Sequence, residues 1–140
     1  MLPKNIAIAG DHAGYVLKEK IKDFLNENGY SYRDFGTYSD ESCDYADYIH
    51  PLATALENKQ FDLGIVICGS GNGVNMTANK HKGIRSALCW KKEIAQLARE
   101  HNNANVLAIP ARYINTEEAK EIVFAFLNSV FAGGRHSRRV

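Results

Sequence analysis

The chain has 140 residues, 45% hydrophobic and 24% charged, with a formal net charge of +1, the size and balance of one globular domain that can bury a single core. Its near-neutral charge removes the global reason to expect nucleic acid, and no apolar run nears the roughly 18 residues of a membrane span. Cys43, Cys68 and Cys89 are odd in number and show no CxxC or CxxxC spacing, which argues against a disulfide framework or zinc site and for a reducing, cytoplasmic setting.

Met1-Leu2-Pro3-Lys4 leads straight into a strand-like run, with nothing that reads as a signal peptide. Ile6 to Ala9 is the first predicted strand, and Gly10-Asp11-His12-Ala13-Gly14 follows it. Residues 14–28 place Leu17, Ile21, Phe24 and Leu25 on one helical face, and Gly29 supplies the stop. A weaker strand over 30–35 and a helix over 45–58 lead to the clearest strand, Leu63 to Cys68. Then come Gly69-Ser70-Gly71-Asn72-Gly73, a helix over 72–81, a weak strand over 84–89 and a helix over 91–101. A strand over 105–109 runs into Pro110-Ala111-Arg112. The last helix, 116–130, has Thr116 as its expected N-cap, with Glu117 and Glu118 in the first turn. Gly133-Gly134 opens a C-terminal arm, 132–140, expected to be flexible and carrying Arg135, His136, Arg138 and Arg139. Strands alternating with helices predict a single three-layer α/β domain over 1–140, a five-stranded parallel sheet with helices on both faces. Ligands bind such sheets beyond the carboxyl ends of the strands, so the segments after strands one, three and five should open on one edge.

The run Cys68 to Gly73 carries the most chemistry. Three alternate glycines let the backbone approach a ligand and turn N–H groups inward at a helix start, which suits a phosphate or a developing enolate oxygen equally. The bland alternative is a tight turn without a ligand. A dinucleotide fingerprint fails because Val74 stands where GxGxxG needs its third glycine, and a Walker loop lacks its Gly-Lys-Ser/Thr. A cysteine ending an apolar strand is commonly core filler. Beside an anion nest, however, the thiolate is favoured, and Cys68 reads as reactive. Cys43, in a polar loop, and Cys89, ending an apolar run, have no such neighbour and read as structural. Asp11 and His12 suit ligand binding, against helix capping by Asp11, and no second cluster makes them a metal site. His101 by itself reads as a cation at a helix C-terminus. Arg112, Arg135 and Arg139 are either surface charges or a phosphate clamp. A nucleic-acid role for them lacks an aromatic-interleaved basic face.

These segments occur together and in order: GDHAG at 10–14, Asp44-Tyr45, CGSGNG with Ala78-Asn79-Lys80, Arg99-Glu100-His101-Asn102, Asn105-Val106-Leu107, and Gly133-Gly134-Arg135-His136 with Arg139. Over nearly its whole length the chain resembles the RpiB/LacAB sugar-phosphate isomerases. The resemblance implies a Rossmann-like fold and an aldose–ketose isomerisation without metal or cofactor, interconverting D-ribose 5-phosphate and D-ribulose 5-phosphate through an enediolate. It implies Cys68 as the base between C1 and C2, and Gly69, Ser70, Gly71, Asn72 and Gly73 as the nest for the enediolate oxygen. His101 becomes the acid/base that opens the furanose ring, Asp11 and Asn102 contact sugar hydroxyls, and Tyr45 lies beside the sugar. His12, Arg112, Arg135 and Arg139 form the phosphate set. The alternatives are a hexose-6-phosphate isomerase for allose or galactose phosphates and a non-catalytic sugar-phosphate-binding regulator. Cys68 with His101 weighs against the regulator, since binding needs neither a thiol nor a ring-opening acid.

One consequence concerns assembly. His101 precedes the strand that begins near Asn105, so an alternating sheet puts it at the edge opposite Cys68, about five residues or roughly 17 Å away. One histidine side chain does not span that gap, and a two-fold dimer with shared sites does. The resemblance likewise implies a homodimer, or a tetramer built from it, with no nucleic-acid or membrane partner.

Overall fold

The computed structural model describes residues 4–140; the reading of Met1 to Pro3 lies outside them. In chain order the elements are β1 (Asn5–Gly10), α1 (Tyr15–Glu27), β2 (Ser31–Asp34), α2 (Ala46–Glu57), β3 (Leu63–Cys68), α3 (Asn72–Ala78), β4 (Ser86–Leu88), α4 (Lys92–Asn102), β5 (Val106–Pro110) and α5 (Thr116–Leu127), followed by a 3-10 turn at Gly134–His136. All five strands are parallel, in the order β2-β1-β3-β5-β4.

The sheet is sandwiched as its side-chain alternation requires. Along β3, Leu63, Ile65 and Ile67 join Ile6, Ile8, Leu107 and Ile109 against α1, α4 and α5. Val66 and Cys68 point the other way, with Ala7, Ala9 and Ala108, against Ile49, Leu52 and Leu56 of α2 and Val74 and Ala78 of α3. Both faces are covered, so β3 is buried at all six positions and reads as an unbroken apolar run. Each fully buried Ile or Leu of this core contributes about 1.5–3 kcal/mol. Register sets the site: Gly10 pairs with Ile67 and Cys68 with Pro110. The carboxyl ends of β1, β3 and β5 therefore lie side by side.

Two local expectations are corrected. Asn115, not Thr116, caps α5: its side chain accepts from the Glu118 N–H at 2.8 Å, while Glu118 Oε1 accepts from the Asn115 N–H at 2.9 Å. This is a reciprocal capping box. The arm is not a free tail. The Ala132 N–H donates to the Glu100 carbonyl at 2.9 Å, and the 3-10 turn closes with the His136 N–H on the Gly133 carbonyl at 3.1 Å. Among the described residues, no helix is long and apolar enough to cross a membrane.

Candidate active site

A cleft of about 480 Å³ opens where β1, β3 and β5 end. Cys68 closes β3 and is only 5% exposed, held by its own strand pairing and by the Ala111 N–H, which donates to the Cys68 carbonyl at 2.9 Å. The next link, Arg112 N–H to Gly69 carbonyl at 3.0 Å, brings Arg112 to the same rim. Gly71 has φ +78°, a left-handed conformation that glycine adopts without penalty. It turns the chain into α3, and the Asn72 N–H donates to Ser70 Oγ at 3.2 Å. At Gly73 a Cβ would stand 2.5 Å from Tyr45 Cζ, so the missing side chain is what lets the Tyr45 ring lie over the nest.

The opposite wall comes from the β1–α1 turn. Asp11 is 7% exposed, and its Oδ1 accepts from the N–H groups of Ala13 and Gly14, each at 3.0 Å. Both bonds fall in the turn before Tyr15, so they brace the loop and do not cap α1, whose N-cap is Gly14 with no side-chain cap; Asp11 also lines the cleft. His12 lines it too, and its Nδ1 accepts from the Cys43 N–H at 3.2 Å. A neutral imidazole accepting at Nδ1 keeps its proton on Nε2, which leaves a donor for a ligand. Cys43 thus stands on the cleft wall with its Sγ 3.9 Å from that same Nδ1, where the sequence had suggested a structural role. Ala13, Asp44 and Tyr113 complete the lining. Ala13 and Asp44 had pointers in the sequence, the GDHAG segment and the Asp44-Tyr45 pair; Tyr113 had none. Cys89 fits its structural reading: it is fully buried, and that burial pushes its thiol up to about 12.

Asp11, His12, Tyr45, Cys68, Gly69, Ser70, Gly73 and Arg112 line one cleft; Gly71, the N-cap of α3, and Asn72, its first residue, are not among the lining residues. His101, Asn102, Arg135 and Arg139 are not part of it. His101 and Asn102 end α4 at the amino edge of β5, where the Asn102 carbonyl accepts from Arg85 Nε at 2.8 Å. Val106 to Pro110 separates that edge from the level of Cys68, roughly 13 Å of strand. The arm gathers Arg135 and Arg139 on the His101 side, where the His136 ring stacks on the His101 ring with centroids 4.2 Å apart. A larger cavity of about 690 Å³ lies between α1, α4 and α5. Its polar groups belong to surface residues such as Lys92, Gln96 and Glu121, and it contains no thiol or histidine.

A family model described as ribose/galactose isomerase matches residues 6–140. Ribose-5-phosphate isomerase B of Escherichia coli K12 is 44% identical over 137 residues, spanning 98% of this chain and 92% of that protein. Among solved structures, a ribose 5-phosphate isomerase from Thermotoga maritima superposes with a TM-score of 0.95 at 48% identity, covering 97% of this chain and 94% of that one. Ribose-5-phosphate isomerase B of Mycoplasma genitalium, solved with bound ribulose-5-phosphate, has a TM-score of 0.90 at 44% identity, covering 96% and 90%.

Proposed function

The chain belongs to the ribose/galactose isomerase family, and we propose that Cys68 moves the proton by which it interconverts D-ribose 5-phosphate and D-ribulose 5-phosphate. It is an aldose–ketose isomerase. The observation that carries the catalytic reading is the placement of the Cys68 thiol at the end of β3, bordering the glycine nest in the same cleft as Asp11, His12, Tyr45 and Arg112. Taking a proton alpha to a carbonyl needs a positioned base and a preorganised site for the negative charge that grows on oxygen. Cys68 is the base, shuttling the proton between C1 and C2. The backbone from Gly69 to Gly73, with Ser70 and Asn72, holds the enediolate oxygen, and one such donor is typically worth about 2.7–4 kcal/mol. Asp11 and Tyr45 hold the sugar. His12, as an Nε2–H donor, and Arg112, as a guanidinium, take the phosphate.

The rest of the machinery comes from a second copy. His101 opens the furanose ring, Asn102 contacts a hydroxyl, and Arg135 and Arg139 complete the phosphate clamp, all reaching the cleft of a partner across a two-fold axis. What supports this is the separation of these residues from Cys68 within one chain. Three free thiols favour a reducing, cytoplasmic setting. The deciding measurement is kcat/KM of the purified protein on ribose 5-phosphate, allose 6-phosphate and galactose 6-phosphate. Ribose 5-phosphate should be preferred. A higher value with either hexose phosphate would move the reaction to the six-carbon branch.

A further inference from the structure

The proposed reaction has two proton-transfer events, ring opening at His101 and C1–C2 transfer at Cys68, and His136 serves neither. Its imidazole nevertheless lies flat on that of His101, with centroids 4.2 Å apart and planes 16° apart. His101 is the next-to-last residue of α4, and the His136 ring covers one face of its imidazole. Stacking of this kind favours near-parallel planes, so the His136 ring constrains the tilt of the His101 ring. The arm bearing His136 is tied to α4 beside His101 through the Ala132 N–H on the Glu100 carbonyl at 2.9 Å, and its turn is closed internally by the Arg139 N–H on the His136 carbonyl at 3.0 Å.

We propose that His136 is a positioning residue for ring opening: its ring holds the His101 imidazole in the orientation needed to reach the sugar. Arg135 and Arg139 leave the same short turn, so the phosphate clamp and the ring-opening group share one frame. The proposal rests on the reading of His101 as the ring-opening acid. A general acid works only within hydrogen-bond reach of its target, and a 1 Å misplacement can cost about a hundredfold in rate. Desolvation and the nearby charges of His101, Arg135 and Arg139 push His136 below its ordinary pKa. The shift favours the uncharged ring against His101, which lessens like-charge repulsion in the stack.

Ring opening and proton transfer can be read separately. Ribulose 5-phosphate has its 5-hydroxyl esterified and so has no furanose form. Solvent deuterium enters its C1 through the enediolate with no ring step, whereas conversion of ribose 5-phosphate needs the ring opened. Following both by NMR, His136→Ala should lower kcat on ribose 5-phosphate about tenfold or more. C1 exchange should stay within about twofold of wild type. His136→Phe, which keeps a flat ring, should recover most of the lost turnover. Unchanged conversion in His136→Ala, equal loss of exchange and conversion, or no recovery with Phe would each overturn the proposal. His101→Asn separates the two levels: it should lose conversion and keep exchange. Normal turnover by His101→Asn would remove the reading of His101 itself. The expected behaviour there, with His136→Ala still fully active, would overturn the positioning role alone.

Discussion

Cys68 and Cys89 are both buried thiols near the carboxyl ends of strands, 5% and 0% exposed, yet only Cys68 borders the cleft. Cys68→Ala should lower kcat by about 10²–10⁴, the range for loss of a positioned acid–base group, while calorimetry still detects ribose 5-phosphate binding. Turnover within tenfold of wild type would remove the base assignment. Iodoacetamide followed by peptide mapping at neutral pH should leave Cys89 unmodified, because its thiol is pushed up to about 12 and sealed from solvent. Cys43 marks where local reading stops. Its loop has no periodicity, and nothing near it in sequence announces that its N–H will meet a histidine 31 residues away.

Between elements, α1 is joined to the end of β2 by a partly buried ion network. Lys18 of α1 is fully buried, with Nζ 2.5 Å from Asp34 Oδ2 at the end of β2, and Lys22 Nζ reaches the same oxygen at 2.9 Å. Asp34 Oδ1 accepts from the Gly36 N–H at 2.8 Å, which ties down the start of the loop leading to Cys43 and Tyr45. Asp34→Ala should destabilise the fold by about 3 kcal/mol, the low end for breaking a buried pair, because Glu19 still faces Lys18 at 3.1 Å. Burial alone would raise the Asp34 pKa, but the hydrogen bonds from Lys18, Lys22 and Gly36 outweigh it and hold the carboxyl below its ordinary 3.8. The network therefore stabilises fully above that value and loses its contribution as the pH falls through the lowered folded value. Denaturant melts of wild type and Asp34→Ala should converge over that acid range, and a constant gap would refute the linkage. In the arm, Arg135→Ala and Arg139→Ala should chiefly raise KM, each by the equivalent of about 1.5–3 kcal/mol. Some loss of kcat is allowed where remote binding energy orients the reacting carbons. Unchanged kinetics in both would return them to surface charges.

At the scale of the whole molecule, the proposed site is complete only in a pair. Mixing inactive Cys68→Ala and His101→Asn proteins after reversible dissociation tests this. In a mixed dimer, one pocket collects both lesions and the other is intact. Random one-to-one pairing should restore about a quarter of wild-type activity under two-fold symmetry. Verified subunit exchange without recovery would put both residues in one chain's pocket.

Periodicity and the placement of glycines were enough to establish five strands, five helices, both buried faces and the loops that carry the chemistry, because burial at period 2 or 3.6 is written locally in the chain. The same logic places Cys68 and His101 at opposite strand edges. Strand order was decided only by folding, and with it the adjacency of β1, β3 and β5 that turns three loops into one cleft. So were the Cys43–His12 contact, the Lys18–Asp34 link and the arm turned back onto α4. Each joins residues distant in sequence from segments with no repeat. Their partners are selected by packing in three dimensions, which local periodicity does not encode. Even the shift of the cap from Thr116 to Asn115 depends on where the backbone leaves its extended path after β5, one residue before composition alone would place it.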